Sequence, residues 1–147
     1  MAYWRLYYHL VWVTHQRRPL MTPCLEPQIY GVILSKAREL GVVVHAIGNV
    51  ADHIHIVASI PPRIAVTECI KQFKGISSHY VNHQPNAAGD FGWQDGYGAL
   101  TFGERSLPDV LGYVRGQKQH HASQALRLAF ERTTIEDDGV VVVPDPR

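Results

Sequence analysis

The sequence predicts an α+β fold of the ferredoxin-like (RRM-like) type, a β-α-β-β-α-β antiparallel sheet, with one added C-terminal helix. Three observations predict it: an aromatic and β-branched stretch near the start, two adjacent strand-like stretches in the middle, and two stretches of helical periodicity between strands. The chain has 147 residues, of which 46% are hydrophobic. This is enough for one domain, residues 1–147, with its own core.

The first half of the chain predicts three strands and one helix. Residues 4–14 indicate a long first strand, and residues 42–50 and 53–60 indicate two strands that form an antiparallel hairpin. Between the first and second strands, Pro27 can open a helix and Gly41 can close it.

The second half predicts a helix, a strand and a long final helix. Apolar residues recur at helical spacing within residues 66–80, and residues 91–103 indicate a fourth strand with irregular ends. The final helix is predicted from about residue 107 to residue 132. Residues 133–147 form a predicted C-terminal tail, whose run VVVV can add an edge strand.

Composition limits the classes of function. The formal net charge is +1, so any surface that binds nucleic acid must be a local basic patch. The two cysteines, Cys24 and Cys69, lack the spacing of a metal site, which favours a reduced, cytoplasmic compartment. We expect no membrane segment, because the apolar start is too short to span a bilayer and is interrupted by Arg5 and His9.

The third predicted strand carries two histidines on one face. Because strand side chains alternate, His53 and His55 point the same way, whereas Ile54 and Ile56 point into the core. Their Cα atoms are expected about 6.5–7 Å apart, which allows both imidazoles to bind one divalent ion. Taken alone, the pattern also fits two histidines on a solvated sheet face.

The final helix adds a polar stripe. Tyr113, Gln117, His120 and Gln124 lie at positions i, i+4, i+7 and i+11. The carbonyl oxygen of Gln117 is a suitable third ligand, and a mixed nitrogen and oxygen site suits Mg²⁺ or Mn²⁺ acting on a phosphate. Tyr113 could attack that phosphate, although it also fits an aromatic packed on the helix surface. A rival nucleophile, Tyr97, has no glutamine partner.

Five segments in order resemble a known family: YHLVWVTHQRRPLM, DHIHIV, IKQFKGISSHYV, FGWQDGYGALTF and YVRGQKQHH. They are similar to the small single-tyrosine transposases of the HUH superfamily. That group includes hairpin-recognising insertion-sequence transposases and the related REP-associated tyrosine transposases. The resemblance extends from about residue 7 to residue 137.

The resemblance implies roles for four residues. His53 and His55 match the metal-binding histidines, Gln117 matches the third metal ligand, and Tyr113 matches the nucleophile carried by the C-terminal helix. It also implies metal-assisted cleavage and joining of single-stranded DNA hairpins through a 5′-phosphotyrosine bond. The expected assembly is a homodimer in which the tyrosine helix of one subunit can complete the metal site of the other.

Scattered basic pairs are candidate contacts to DNA phosphates, although such residues also fit ordinary solvated charges. These candidates are Arg17, Arg18, Lys71, Lys74, Arg115 and Lys118.

Other residues near the motifs have both structural and functional interpretations. Asp52 fits a turn aspartate or a partner of the metal-binding histidines. His120 and His121 fit solvated or packed histidines, or residues that contact DNA. Gly112 and Gly116 flank Tyr113 and allow either close packing or a loosened helix.

Three alternatives to a mobile-element transposase are open. One is a domesticated nuclease that processes REP hairpins, and another is a metal hydrolase with water as its nucleophile. The third is a non-catalytic module that binds single-stranded nucleic acid, a common use of ferredoxin-like sheets. The combination of two histidines, a tyrosine and a glutamine favours the transposase.

Overall fold

The computed structural model describes residues 2–122 and 127–133, and it contains the predicted fold. Four strands form one antiparallel sheet in the order β2-β3-β1-β4, which is the ferredoxin-like order. The elements are β1 (Tyr7–Val13), α1 (Glu26–Leu40), β2 (Val43–Val50), β3 (His53–Ser59), α2 (Val66–Asn82), β4 (Gly98–Phe102), α3 (Leu107–Arg115), α4 (Gln117–Ala122) and α5 (Leu128–Glu131).

The predicted limits of α1 are confirmed. Pro27 lies in its first turn, where a missing backbone N–H costs nothing. Gly41 follows the helix with φ 75°, and its N–H donates to the carbonyls of Ala37 and Arg38. Glycine reaches this left-handed conformation without a steric penalty, so the residue ends the helix and turns the chain into β2.

One face of the sheet packs against α1 and α2 and forms the main core. The predicted inward positions Ile54 and Ile56 are fully buried there. Other buried residues of this layer are Leu10, Trp12, Ile29, Ile33, Ile70 and Phe73. His53 and His55 therefore project from the opposite face, as the alternation of strand side chains predicts.

The opposite face is covered by α3, which packs on β2 and β3 through a small apolar cluster. Ala46 and Val57 of the sheet meet Val110 and Val114 of α3. A Cβ added to Gly48 would overlap the carbonyl oxygen of Val114 far inside van der Waals contact. The bare glycine backbone of β2 thus lets α3 lie directly on the sheet.

The predicted single helix from about residue 107 to residue 132 is wrong. The helix breaks at Gly116, which has φ −93° and ψ 21°, and a second helix, α4, begins at Gln117. Arg127 is extended, with φ −104° and ψ 108°, before the short helix α5. Glycine weakens helix propagation, and here a bend brings two more segments over the sheet.

Two other predicted elements differ in extent. The fourth strand spans Gly98–Phe102 rather than residues 91–103, and within the earlier part Trp93 forms only an isolated bridge with Thr14. Gln124 of the predicted polar stripe and the predicted edge strand in the tail lie outside the described residues. No helix in the described ranges is long and apolar enough to cross a membrane.

Candidate metal centre

Strand β3 places the histidine pair under the C-terminal segments. His53 is 5% exposed and His55 is fully buried, so neither lies on a solvated sheet face. Their ring centroids are 5.1 Å apart. The pair is therefore oriented towards α4 and α5, which supply further polar groups.

Four side chains converge at this point: His53, His55, His121 of α4 and Glu131 of α5. One ligand atom from each lies within 4.8 Å of all the others. Oε2 of Glu131 lies 3.2 Å from Nε2 of His53 and 3.0 Å from Nε2 of His55. Its Oε1 lies 3.2 Å from Nε2 of His121.

Three imidazoles and one carboxylate are a donor set that fits a divalent ion. Ligand atoms about 3 Å apart match neighbouring ligands that each lie about 2.1 Å from a shared ion. Nε2 of His55 is buried, and its contact with Glu131 is not aligned as a hydrogen bond, so that nitrogen has no hydrogen-bond partner in the described part of the chain. That nitrogen instead faces Oε2 of Glu131, another candidate ligand, which suits the binding of a shared ion.

Each strand histidine is held from behind through its Nδ1. Oδ1 of Asp52 lies 2.7 Å from Nδ1 of His53, so the turn aspartate is also a partner of the histidine pair. Nε2 of His9 in β1 lies 2.8 Å from Nδ1 of His55. Both contacts leave the Nε2 atoms directed at the centre, the arrangement typical of metal-binding histidines.

Tyr113 lies at the edge of the same centre. Its side chain is 2% exposed, and its hydroxyl donates to Oε1 of Glu131 at 2.8 Å. The backbone N–H of Arg127 donates to the hydroxyl oxygen at 3.1 Å. The ring stacks on His120, with centroids 4.8 Å apart, and lies 6.0 Å from the ring of His55. Burial and the nearby carboxylate raise the pKa of Tyr113 to about 12.

Gln117 lies beside the four converging side chains. Its Nε2 donates to the carbonyl of Tyr113 at 3.2 Å, and its Oε1 lies 3.1 Å from Nε2 of His121. Tyr113 and Gln117, which lie on either side of the bend at Gly116, therefore contact each other beside the centre. Gln117, the third ligand predicted from the sequence, contacts the centre at His121.

Burial and charge oppose each other within this centre. Burial raises the pKa of Glu131, but contacts with His53 and His55 outweigh it and hold that pKa well below its usual range. Burial lowers the pKa of His53, but hydrogen bonds to Glu131 and Asp52 outweigh it and raise that pKa. Burial lowers the pKa of His55. Glu131 is therefore a carboxylate anion inside a ring of imidazoles.

Two residues of the centre, His121 and Glu131, were not predicted as metal ligands. His121 follows Gln117 by four residues, which is one helical turn, so helical spacing alone could have predicted that the two side chains share a face. Glu131 returns to the centre only because the chain bends, and no local pattern signals this.

The six predicted DNA contacts lie in different environments. Lys71 and Lys74 belong to α2, on the opposite side of the sheet from the histidines. Lys74 donates to the carbonyls of Gln94 and Gly96, so it holds the loop before β4. Arg17 lies in the short 3-10 turn His15–Arg17.

The other three cations make contacts within the chain. Arg18 pairs with Asp90, and Lys118 pairs with Glu26 at 2.9 Å. Arg115 reaches the carbonyl of His45 at 3.5 Å. Arg115 and Lys118 share a groove with Gln117, so these two cations lie on the tyrosine side of the molecule.

Comparisons with known proteins find transposases among the proteins similar to this chain. ISDra2 transposase TnpA of Deinococcus radiodurans is 24% identical over 119 residues, which cover 78% of this chain and 85% of that protein. A crystal structure of a candidate transposase from Deinococcus radiodurans has a TM-score of 0.60 at 22% identity, covering 80% of this chain and 95% of the other. A REP-associated tyrosine transposase bound to a REP hairpin has a TM-score of 0.63 at 12% identity, covering 82% and 74%.

The two solved structures show that the fold is shared. The model of the family "Transposase IS200 like" matches residues 2–117, from before β1 to the glutamine beside the histidine centre. This match spans most of the sequence and includes the strand histidines and Tyr113. The chain therefore belongs to the family of IS200-like transposases.

Proposed function

We propose that the protein cleaves and rejoins single-stranded DNA hairpins through a covalent bond between Tyr113 and a 5′-phosphate, with Mg²⁺ or Mn²⁺ bound at His53 and His55. One observation carries the proposal. The hydroxyl of Tyr113 lies 2.8 Å from one oxygen of Glu131, whose other oxygen lies 3.0–3.2 Å from the two strand histidines. A nucleophile and a candidate metal centre thus share one carboxylate.

The protein residues can divide the work of the reaction. The oxygen of Tyr113 forms a bond to the phosphorus while the bond to the 3′-oxygen breaks, which leaves a 5′-phosphotyrosine and a 3′-hydroxyl. The hydroxyl of Tyr113 donates to Oε1 of Glu131, which orients it, and the proton that leaves the tyrosine ends on the released 3′-oxygen, transferred through solvent. A bound divalent ion would offset the charge that develops on the phosphate oxygens. Rejoining reverses the step, because the phosphotyrosine bond conserves the energy of the broken phosphodiester.

His53, His55, His121 and Glu131 would hold the ion, with Gln117 beside them. Oε1 of Gln117 lies 3.1 Å from Nε2 of His121, so the ligand predicted from the sequence is a neighbouring oxygen donor. The supports for this ligand set are its nitrogen and oxygen donors and the burial of its two strand histidines.

A DNA hairpin is the proposed partner, and the support is the relative of the same fold that was solved with a REP hairpin. A domesticated enzyme that processes such hairpins would use the same centre. A non-catalytic single-strand-binding module is less well supported. Such modules stack bases on an open sheet, whereas here α3, α4 and α5 cover the face that carries His9, His53 and His55.

The test is a comparison of two tyrosine variants. Tyr113→Phe removes one oxygen, whereas Tyr97→Phe removes the hydroxyl that contacts Thr67 on the α2 side. Incubation with hairpin DNA and Mg²⁺ or Mn²⁺ should give an adduct that survives denaturation with the wild type and Tyr97→Phe, and none with Tyr113→Phe. An adduct that persists in Tyr113→Phe would contradict the proposal.

A further inference from the structure

His9 occupies an unusual place for a polar residue. It lies in the central strand β1, opposite Val57 of β3, and is fully buried. Its ring packs against Phe130, with centroids 4.7 Å apart, and against His55, with centroids 5.0 Å apart. An aliphatic or aromatic side chain would suit these surroundings better, unless the imidazole has a specific task.

The contacts of His9 are unequal at its two nitrogens. Nε2 lies 2.8 Å from Nδ1 of His55, whereas Nδ1 is buried with no hydrogen-bond partner in the part of the chain that the structure describes. A buried polar atom without a partner is unfavourable. Among the described residues, the polar contact that accounts for an imidazole here is therefore the one with His55.

That contact couples the proton positions of the two rings, because one of the two facing nitrogens must carry a proton and the other must accept it. A histidine binds a metal through an unprotonated nitrogen, so binding through Nε2 requires the proton on Nδ1. Nδ1 of His55 then has to donate, and Nε2 of His9 is the acceptor at hydrogen-bond distance. The opposite arrangement, in which His9 donates, puts the proton on Nε2 of His55 and blocks the ligand atom.

We infer that His9 is a positioning residue for the metal centre: its Nε2 accepts the Nδ1–H of His55 and keeps Nε2 of His55 free and directed at the ion. The inference rests on the proposed function, since it requires an ion at His53 and His55. Asp52 has the corresponding position behind His53, where its Oδ1 lies 2.7 Å from Nδ1. The two ligands of β3 are thus each oriented by one residue outside the centre.

The packing explains why a neutral imidazole performs this task. A carboxylate at position 9 would be fully buried beside Phe130, far from water. Asp52, in contrast, lies in the exposed turn between β2 and β3, with its side chain 34% exposed. An uncharged acceptor is therefore suited to the interior and a charged one to the turn.

The test measures Mn²⁺ binding by electron paramagnetic resonance in three variants of the full chain. His9→Phe keeps a planar ring but removes the acceptor, and His9→Gln keeps a carbonyl oxygen. His45→Phe is the matched control, because it removes a histidine of the same sheet whose side chain contacts Ser59 and Tyr7 rather than a residue of the metal centre. His9→Phe should weaken Mn²⁺ binding about 10–100-fold, His9→Gln should restore part of it, and His45→Phe should bind as the wild type does.

Nuclear magnetic resonance of the wild-type protein loaded with Mg²⁺ gives an independent readout. His55 should carry its ring proton on Nδ1, with scalar coupling across the hydrogen bond to Nε2 of His9. A proton on Nε2 of His55 would overturn the inference, as would wild-type Mn²⁺ affinity in a folded His9→Phe. If a double alanine variant of His53 and His55 binds Mn²⁺ like the wild type, the proposed function fails instead.

Discussion

At the scale of single residues, the centre depends on one half-buried carboxylate. Glu131 contacts three imidazoles and the hydroxyl of Tyr113. An anion in this position is stabilised by whatever positive charge surrounds it, either protonated histidine or a metal ion. Substitution of Glu131 and substitution of the histidines should therefore have different effects on metal binding and on the reaction of Tyr113.

Loss of both strand histidines should abolish metal-dependent cleavage. In the variant His53→Ala with His55→Ala, two ligand nitrogens are removed, and we expect the cleavage rate to fall at least about 100-fold. The cleavage rate is measured on hairpin DNA over a series of Mn²⁺ concentrations. Cutting at the wild-type rate would show that the centre is elsewhere.

Glu131→Gln should weaken both functions of the carboxylate. The amide keeps the shape but loses the charge that balances the ion and strengthens the hydrogen bond from Tyr113. We expect weaker Mn²⁺ binding and slower adduct formation at saturating metal. Glu104→Gln, a change of a carboxylate outside the centre, is the control. Equal adduct rates in the two variants would exclude Glu131 from the reaction.

Acid should destabilise the metal-free protein through its buried histidines. Burial lowers the pKa of His9 to about 3, so between pH 6.5 and pH 3 the unfolded chain binds a proton that the folded chain does not. Stability therefore falls as pH falls, by about 2 kcal/mol between pH 7 and pH 5 for this residue. Urea unfolding with a chelator present should show a smaller loss in His9→Phe than in the wild type. Equal losses would contradict the assigned pKa.

At the scale of elements, two glycines let the C-terminal segments reach the sheet. Gly48 admits the backbone of α3, and Gly98 admits the backbone at Arg132, next to Glu131. Each glycine lies where a Cβ would overlap a carbonyl oxygen. The position of Glu131 is thus determined partly by a residue of β4 that contacts no ligand.

Gly98→Ala should displace Glu131 and lower metal affinity. The added Cβ would overlap the carbonyl oxygen of Arg132, so residues 127–133 must move away from the sheet. Gly103→Ala is a matched control, because its added Cβ meets nothing within 4 Å. Mn²⁺ titration should show weaker binding in Gly98→Ala and wild-type binding in Gly103→Ala. Unchanged binding there would mean that the segment is held independently of β4.

The sequence predicted the sheet, α1 and α2 because their patterns are local. Alternating residues in β3 placed His53 and His55, and Pro27 and Gly41 marked the ends of α1. The break at Gly116 was missed because a helical glycine costs only about 1 kcal/mol, which tertiary contacts readily exceed. The return of Glu131 depends on contacts with β4, so periodicity could not predict it.

At the scale of the whole molecule, the sheet formed by the described residues ends in two edge strands, β2 and β4. Val43 of β2 and Leu100 of β4 are exposed apolar residues on these edges. Exposed edges favour pairing with another chain. The proposed mechanism also favours two subunits, because it uses one nucleophilic tyrosine per subunit and requires cleavage at two DNA ends.

We therefore expect a homodimer. Analytical ultracentrifugation at micromolar concentration should give about twice the chain mass of 16.5 kDa. A protein that stays monomeric with and without hairpin DNA would contradict the two-subunit arrangement.

The most direct test of the central claim is tandem mass spectrometry of the covalent adduct. Wild-type protein is incubated with hairpin DNA and Mg²⁺, digested, and searched for a peptide that carries a nucleotide. We predict that Tyr113 bears the 5′-phosphate of the downstream strand and that the released strand ends in a 3′-hydroxyl. An adduct on any other residue, or a tyrosine linked to a 3′-phosphate, would contradict the account.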